Sequence, residues 1–123
     1  MVNQGDIIKL NFDPQLGTKQ KESRPAIVVS NNKYHKITNK RAWVCPITKT
    51  DRLYPIHISL GETTKTTGVV LCDQLKTVDL AARGFEFIET APDAVLKDVL
   101  EIIADFLAAA APGIGSNQSL WPH

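Results

Sequence analysis

The 123-residue chain has two cysteines and three histidines, no apolar run of membrane-spanning length, and no alternation of strand-like with helix-like segments. Cys45 and Cys72 both lie in apolar, strand-like runs. They are too few for a disulfide framework and read as buried free thiols, which suits a reducing cytoplasm. His35, His57 and His123 stand apart, and no Cys/His cluster has zinc-like spacing, so no metal or other cofactor is expected. The apolar stretches are too short to cross a bilayer, and the opening Met1-Val2-Asn3-Gln4-Gly5 is unlike a secretory signal. The expectation is a cytoplasmic protein with no membrane partner. Without strand–helix alternation, a parallel α/β sheet is excluded in favour of a mostly antiparallel one.

The composition is that of an ordinary globular protein, 43% hydrophobic and 22% charged. The length suits one domain, read as residues 1–110, followed by a flexible tail at 111–123 that begins with the helix-breaking Pro112-Gly113. The formal net charge of +1 conceals a division. Residues 1–52 hold ten Lys and Arg against four acids, a net +6, whereas residues 53–123 carry a net −5. Such a split points to a side that faces a polyanion, and a mixed solvated surface can also produce it.

Alternation of Ile8, Leu10 and Phe12 with Lys9 and Asn11 predicts a strand over 6–12. Further strands are predicted at 25–30, 42–48, 56–60, 68–75 and 84–89, with 33–40 a basic loop or short helix. Pro46 predicts an edge or a bulge for the third strand, because it cannot donate to a ladder. The nearly continuous apolar character of 68–75 predicts a central strand whose polar Asp73 and Gln74 need partners. From 91 to 110 the period changes: Val95, Val99, Ile102, Ile103 and Phe106 recur at steps of three and four, an amphipathic helix. The fold class is therefore mainly β with one helix, a small, strongly bent antiparallel barrel with the C-terminal helix packed on it.

A polar loop from Gly17 enters the apolar run Ala26-Ile27-Val28-Val29 through Arg24-Pro25. Pro25 biases Arg24 to extended geometry and so fixes a five-donor planar fork at a strand end, a good phosphate holder. Taken alone, the same residue reads first as a strand-start arginine in a surface ion pair. Thr48, ending another strand, is equally ordinary by itself.

Several motifs occur in order: Gly5-Asp6-Ile7-Ile8, Asn11-Phe12-Asp13-Pro14, Gly17 with Gln20, Arg24-Pro25-Ala26-Ile27-Val28-Val29-Ser30, Cys45-Pro46-Ile47-Thr48, Tyr54-Pro55, Gly68-Val69-Val70-Leu71-Cys72-Asp73-Gln74-Leu75-Lys76-Thr77 and Ala82-Arg83-Gly84. Over residues 4–107 the chain resembles the MazF/PemK toxins of bacterial toxin–antitoxin modules. The resemblance implies an SH3-like barrel, a homodimer, and a sequence-specific endoribonuclease neutralised by an antitoxin whose disordered acidic tail occupies the RNA groove. It implies Arg24 and Thr48 as the catalytic pair. Many relatives have an acid where this chain has Lys19, so Glu22 or Lys19 itself becomes a candidate for proton transfer or loop support.

The reaction that such residues serve is cleavage of single-stranded RNA without metal, through attack of the 2′-OH to give 2′,3′-cyclic phosphate and 5′-OH ends. Arg24 and Thr48 can donate to the phosphoryl oxygens, but neither is a good general base at neutral pH. Lys19, Gln20, Lys21, Lys33, Lys36, Lys49 and Arg52 are expected to contact RNA, with Tyr34 or Trp43 available to stack a base. Asp73 and Gln74 are expected as structural support, and His35 and His57 as surface residues. The alternative function is a non-nuclease toxin or binding module of the same fold, such as a DNA gyrase poison, since fold does not settle function.

Overall fold

A computed structural model describes residues 1–11, 23–50 and 54–109. In chain order the elements are β1 (Asp6–Asn11), β2 (Ser23–Val28), α1 (Asn32–Ile37), β3 (Arg41–Thr48), β4 (His57–Ser59), β5 (Val69–Leu71), β6 (Lys76–Asp79), α2 (Leu80–Arg83), β7 (Glu86–Thr90) and α3 (Asp93–Leu107). The strands form one antiparallel sheet in the order β4-β5-β3-β2-β1-β7, with β6 pairing β3 off that path. The sheet is bent but not closed, and the mainly β class with a C-terminal helix stands.

Alternation of side chains across β1, β2 and β3 divides the apolar residues between two cores. On one face Ile8, Leu10, Ala26, Val28, Ala42 and Val44 join Val78 and Leu80. On the other, Ile7, Ile27, Cys45, Ile47, Val70 and Val99 pack together, with Val95, Leu96, Ile102 and Ile103 of α3 against them. Burying both faces stabilises this small domain by about 25 cal/mol per Å² of apolar surface removed from water.

β3 is central rather than an edge strand. It pairs with β2 along one side, and along the other with β6 at Arg41 to Val44 and with β5 at Ile47 and Thr48. Pro46 falls in the interval between those two partners. Because Trp43 accepts from the Val29 amide of the β2 side, strand alternation turns Pro46 toward that interval, where no ladder donor is needed.

The predicted strand over 68–75 is two strands. β5 stops at Leu71, a turn closed by Gln74 N–H to Leu71 C=O at 3.1 Å follows, and β6 starts at Lys76. Asp73 and Gln74 lie on this turn and are exposed, so they require no buried partner. α2, not expected from the sequence, is capped by the Asp79 carboxylate, which accepts from the amides of Ala81 and Ala82. The C-terminal helix spans Asp93–Leu107, starting after Pro92 with Asp93 in its first turn. Its last turn departs from the expected buried stripe: Phe106 is 60% and Leu107 75% exposed. The expected tail at 111–123 lies outside the described residues. Among those described, no helix is long and apolar enough to cross a membrane.

Candidate active site

Arg24 occupies the second position of β2, opposite Leu10 of β1, and its side chain is exposed. Thr48 closes β3, half-buried, opposite Val69 of β5. The β2–β3 ladder runs from Val28 with Val44 to Ala26 with Pro46. Past that ladder β2 and β3 each run on in the same direction, so Arg24 and Thr48 lie at the same end of the strand pair. Alternation puts Arg24 on the face of Ala26 and Val28, and Thr48 on the face of Val44, which is one and the same face. The topology thus brings a guanidinium and a hydroxyl to one rim of the sheet.

The Thr48 hydroxyl oxygen accepts from the Thr50 amide at 3.2 Å, which fixes its rotamer and leaves its own proton free to be donated. Behind it, β5 begins in very close approach. Gly68 has φ +125°, and a Cβ there would stand 2.2 Å from the Thr48 carbonyl oxygen and 2.8 Å from its carbon. Only glycine suits both the conformation and the close approach. Two residues at this rim had no role assigned from sequence. Gly68 is one, signalled only by its place before an apolar run. Arg83 is the other: at the end of α2 it donates Nη1 to the backbone carbonyl of Asn11, the last residue of β1, tying α2 to the strand beside Arg24.

Lys49, next to Thr48, is exposed and belongs to this end of the sheet. Lys33 and Lys36 do not. They lie on α1, which follows the opposite end of β2. Lys19, Gln20, Lys21, Glu22 and Arg52 lie outside the described residues. Asp73 and Gln74 make no side-chain hydrogen bond to Arg24. Asp73 instead borders an apolar groove of about 420 Å³ with Trp43, Cys72, Leu75 and the end of α3. His57 is half-buried, its ring 5.2 Å from that of Tyr54.

His35 is not a surface residue: it is 1% exposed, the inward side chain of α1. Its Nε2 lies 2.6 Å from Ser30 Oγ, which also accepts from the Trp43 amide at 2.9 Å. Ser30 Oγ thus ties the His35 ring to the backbone of β3. Burial pushes the His35 pKa below its ordinary value, outweighing the Val2 backbone and Asp6, which favour the charged form. Cys45 and Cys72 are buried free thiols, as expected. Burial, with Asp73 adding to it, pushes them up to about 12 and about 11, so neither supplies a thiolate at neutral pH.

Residues 3–107 match the profile of the PemK-like, MazF-like toxins of type II toxin–antitoxin systems. The chain belongs to that family. Endoribonuclease PemK of Escherichia coli is 32% identical over 110 residues, covering 86% of this chain and 82% of the relative. The crystal structure of MazF from Deinococcus radiodurans is 33% identical, superposes with a TM-score of 0.74, and covers 86% of this chain and 96% of the other. A MazE–MazF complex from the same organism gives a TM-score of 0.74 at 29% identity, covering 86% of this chain and 94% of that one. In this MazF/PemK-family toxin the matched region contains both strand ends of the rim, Arg24 and Thr48. No group of three or more His, Cys, Asp or Glu side chains that could hold a metal occurs among the described residues.

Proposed function

We propose that this type II toxin, an enzyme like its endoribonuclease relatives, cleaves single-stranded messenger RNA at specific sequences by attack of a ribose 2′-OH on the adjacent phosphorus. The P–O5′ bond breaks, leaving a 2′,3′-cyclic phosphate and a 5′-OH end. The observation that carries the reading is the convergence of Arg24 and Thr48 at one rim, on one face, from strand ends 24 residues apart in sequence. Arg24 donates two parallel hydrogen bonds to non-bridging phosphoryl oxygens, and Thr48 donates a third with the proton that its bond to Thr50 leaves free. Arg24 stays protonated and Thr48 is too weak an acid to act as a base, so these two serve through positioning and charge. Proton transfer falls to another group, with Glu22 and Lys19, just before Arg24 in sequence, the candidates.

The MazE–MazF relative supports an antitoxin partner for this chain; the partner is taken to use an acidic, disordered tail that competes for the RNA surface, and a homodimer is taken as the working unit. The test is to incubate the protein with a defined transcript and identify both new termini chemically. Cyclic phosphate and 5′-OH ends are expected. Arg24→Ala is expected to lose on the order of 10²–10³ in rate, and Thr48→Ala to lose turnover with RNA affinity little changed. Near wild-type cleavage by folded Arg24→Ala refutes the assignment. Intact RNA together with gyrase poisoning favours the non-nuclease toxin.

A further inference from the structure

The end of the sheet remote from Arg24 and Thr48 has a surface of its own. Residues 23–50 contain no Asp or Glu. On α1, Lys33 and Lys36 stand three apart and so share a face. Lys40 and Arg41 follow directly, where the chain turns into β3. All four cations are exposed, and none has an ion-pair partner among the described residues. Asp79, across from Arg41 in the β3–β6 ladder, has its carboxylate engaged by the amides that begin α2. Four unneutralised charges in one place repel one another, and a polyanion relieves that repulsion.

Beside them is an aromatic platform. Trp43 is 38% exposed, and its ring packs on that of Tyr34 at 4.8 Å with 43° between the planes. Its backbone amide is held by Ser30 Oγ, itself bonded to buried His35, so the platform rests on a rigid base. Unpaired cations flanking an ordered, accessible indole match what single-stranded nucleic acid requires: charge along the backbone and a surface for a base. An acidic peptide would use the cations and leave the indole without a counterpart.

We infer that Lys33, Lys36, Lys40, Arg41 and Trp43 form a second RNA-binding site, which holds nucleotides flanking the cleaved bond. The inference rests on the RNA-cleavage reading and adds a dimension to it. β3 carries Arg41 at one end and Thr48 at the other, about 23 Å apart along the strand at about 3.3 Å per residue. A small barrel commonly engages ~4–16 nucleotides, so one strand of RNA can reach both places. The rim does the chemistry, and the remote site contributes affinity only to substrates long enough to arrive there.

The test uses the full chain and two RNAs built around a cleaved bond already mapped on a transcript. One is a short oligonucleotide ending close to that bond, and the other is extended by about ten nucleotides on each side. The triple variant Lys33→Gln/Lys36→Gln/Arg41→Gln should raise KM for the extended RNA on the order of tenfold at low salt with kcat unchanged. Its log–log salt slope should fall by about 0.7 for each phosphate that the variant no longer neutralises. The short RNA should be cleaved alike by both proteins. Trp43→Leu should weaken the extended RNA without changing the slope, because stacking carries no counterion. An unchanged KM and slope for the extended RNA overturns the inference, as does an equal loss on the short RNA. A triple variant that binds RNA normally but no longer binds an acidic antitoxin peptide overturns it in favour of a protein-docking surface. If the wild type cuts neither RNA, the parent reading has failed, an outcome distinct from the other three.

Discussion

A methyl group on Gly68 would meet the Thr48 backbone at 2.2 Å, and the positive φ of Gly68 would strain any other residue. Since nothing flexible stands in the way, Thr48 or the start of β5 has to shift. Gly68→Ala should therefore lower kcat far more than it changes KM, and should add little to the loss in Thr48→Ala, because both act through one hydroxyl. Losses that multiply in the double variant would mean general damage instead. Arg24→Lys should rescue poorly, since an ammonium keeps the charge and loses the fork. His35 gives a pH prediction. Its folded pKa is depressed below the ordinary 6.5, so below that value the unfolded chain takes up a proton that the native ring resists. Stability from this site is complete above pH 6.5 and falls as pH drops below it. Urea midpoints should show that fall, and His35→Gln should flatten it even though the variant is less stable overall. From residues alone, Arg24 and Thr48 are legible only as strand ends; the ordered motifs carry their pairing. The burial of His35 is hidden in the sequence because four of the six residues of α1 are exposed and Tyr34 is half-buried.

Among the elements, the 61–67 segment is fastened to β7 by one side chain. The Glu89 carboxylate accepts from the amides of Lys65 at 3.0 Å and Thr66 at 2.8 Å. Burial pushes its pKa up, but the two amides, the Thr66 hydroxyl and the Lys65 charge together hold it below the usual value. The clasp is present above the ordinary 4.5 and released as pH falls through the lowered value. Glu89→Ala should speed hydrogen exchange at Lys65 and Thr66 while leaving the core strands protected; unchanged exchange there would show that the segment is held by other interactions. The elements that sequence renders well are those with a strong period: β1, β2 and the body of α3. The break between β5 and β6 is hidden because the turn at residues 72–75 contains neither Gly nor Pro. The central place of β3 is hidden for a different reason. Whether Pro46 interrupts a ladder depends on where β6 stops and β5 begins, and those partners lie 23–33 residues away.

Across the whole molecule, one apolar region lacks a cover. Val99 is fully buried near the middle of α3, yet two turns on Phe106 and Leu107 are exposed beside the groove of about 420 Å³ lined by Trp43, Ile56, Leu75, Ile102 and Ile103. Periodicity predicts the stripe correctly, but a stripe does not say whether its own sheet or another molecule covers it. Here the sheet ends before the helix does: β4, an edge strand against α3, is only three residues long. A homodimer supplies the missing cover if a second copy packs its own α3 end on Phe106 and Leu107, an isologous interface that stops short of Trp43 and leaves that indole open. Phe106→Glu/Leu107→Glu should then sediment as a monomer at concentrations where the wild type is a dimer. Circular dichroism should be unchanged, because neither side chain belongs to the core. If each active rim is complete within one chain, as Arg24 and Thr48 on adjacent strands imply, the monomeric variant should retain cleavage of the short RNA. A variant that remains a dimer places the interface elsewhere, and a folded monomer unable to cut any RNA means that the partner subunit completes the site.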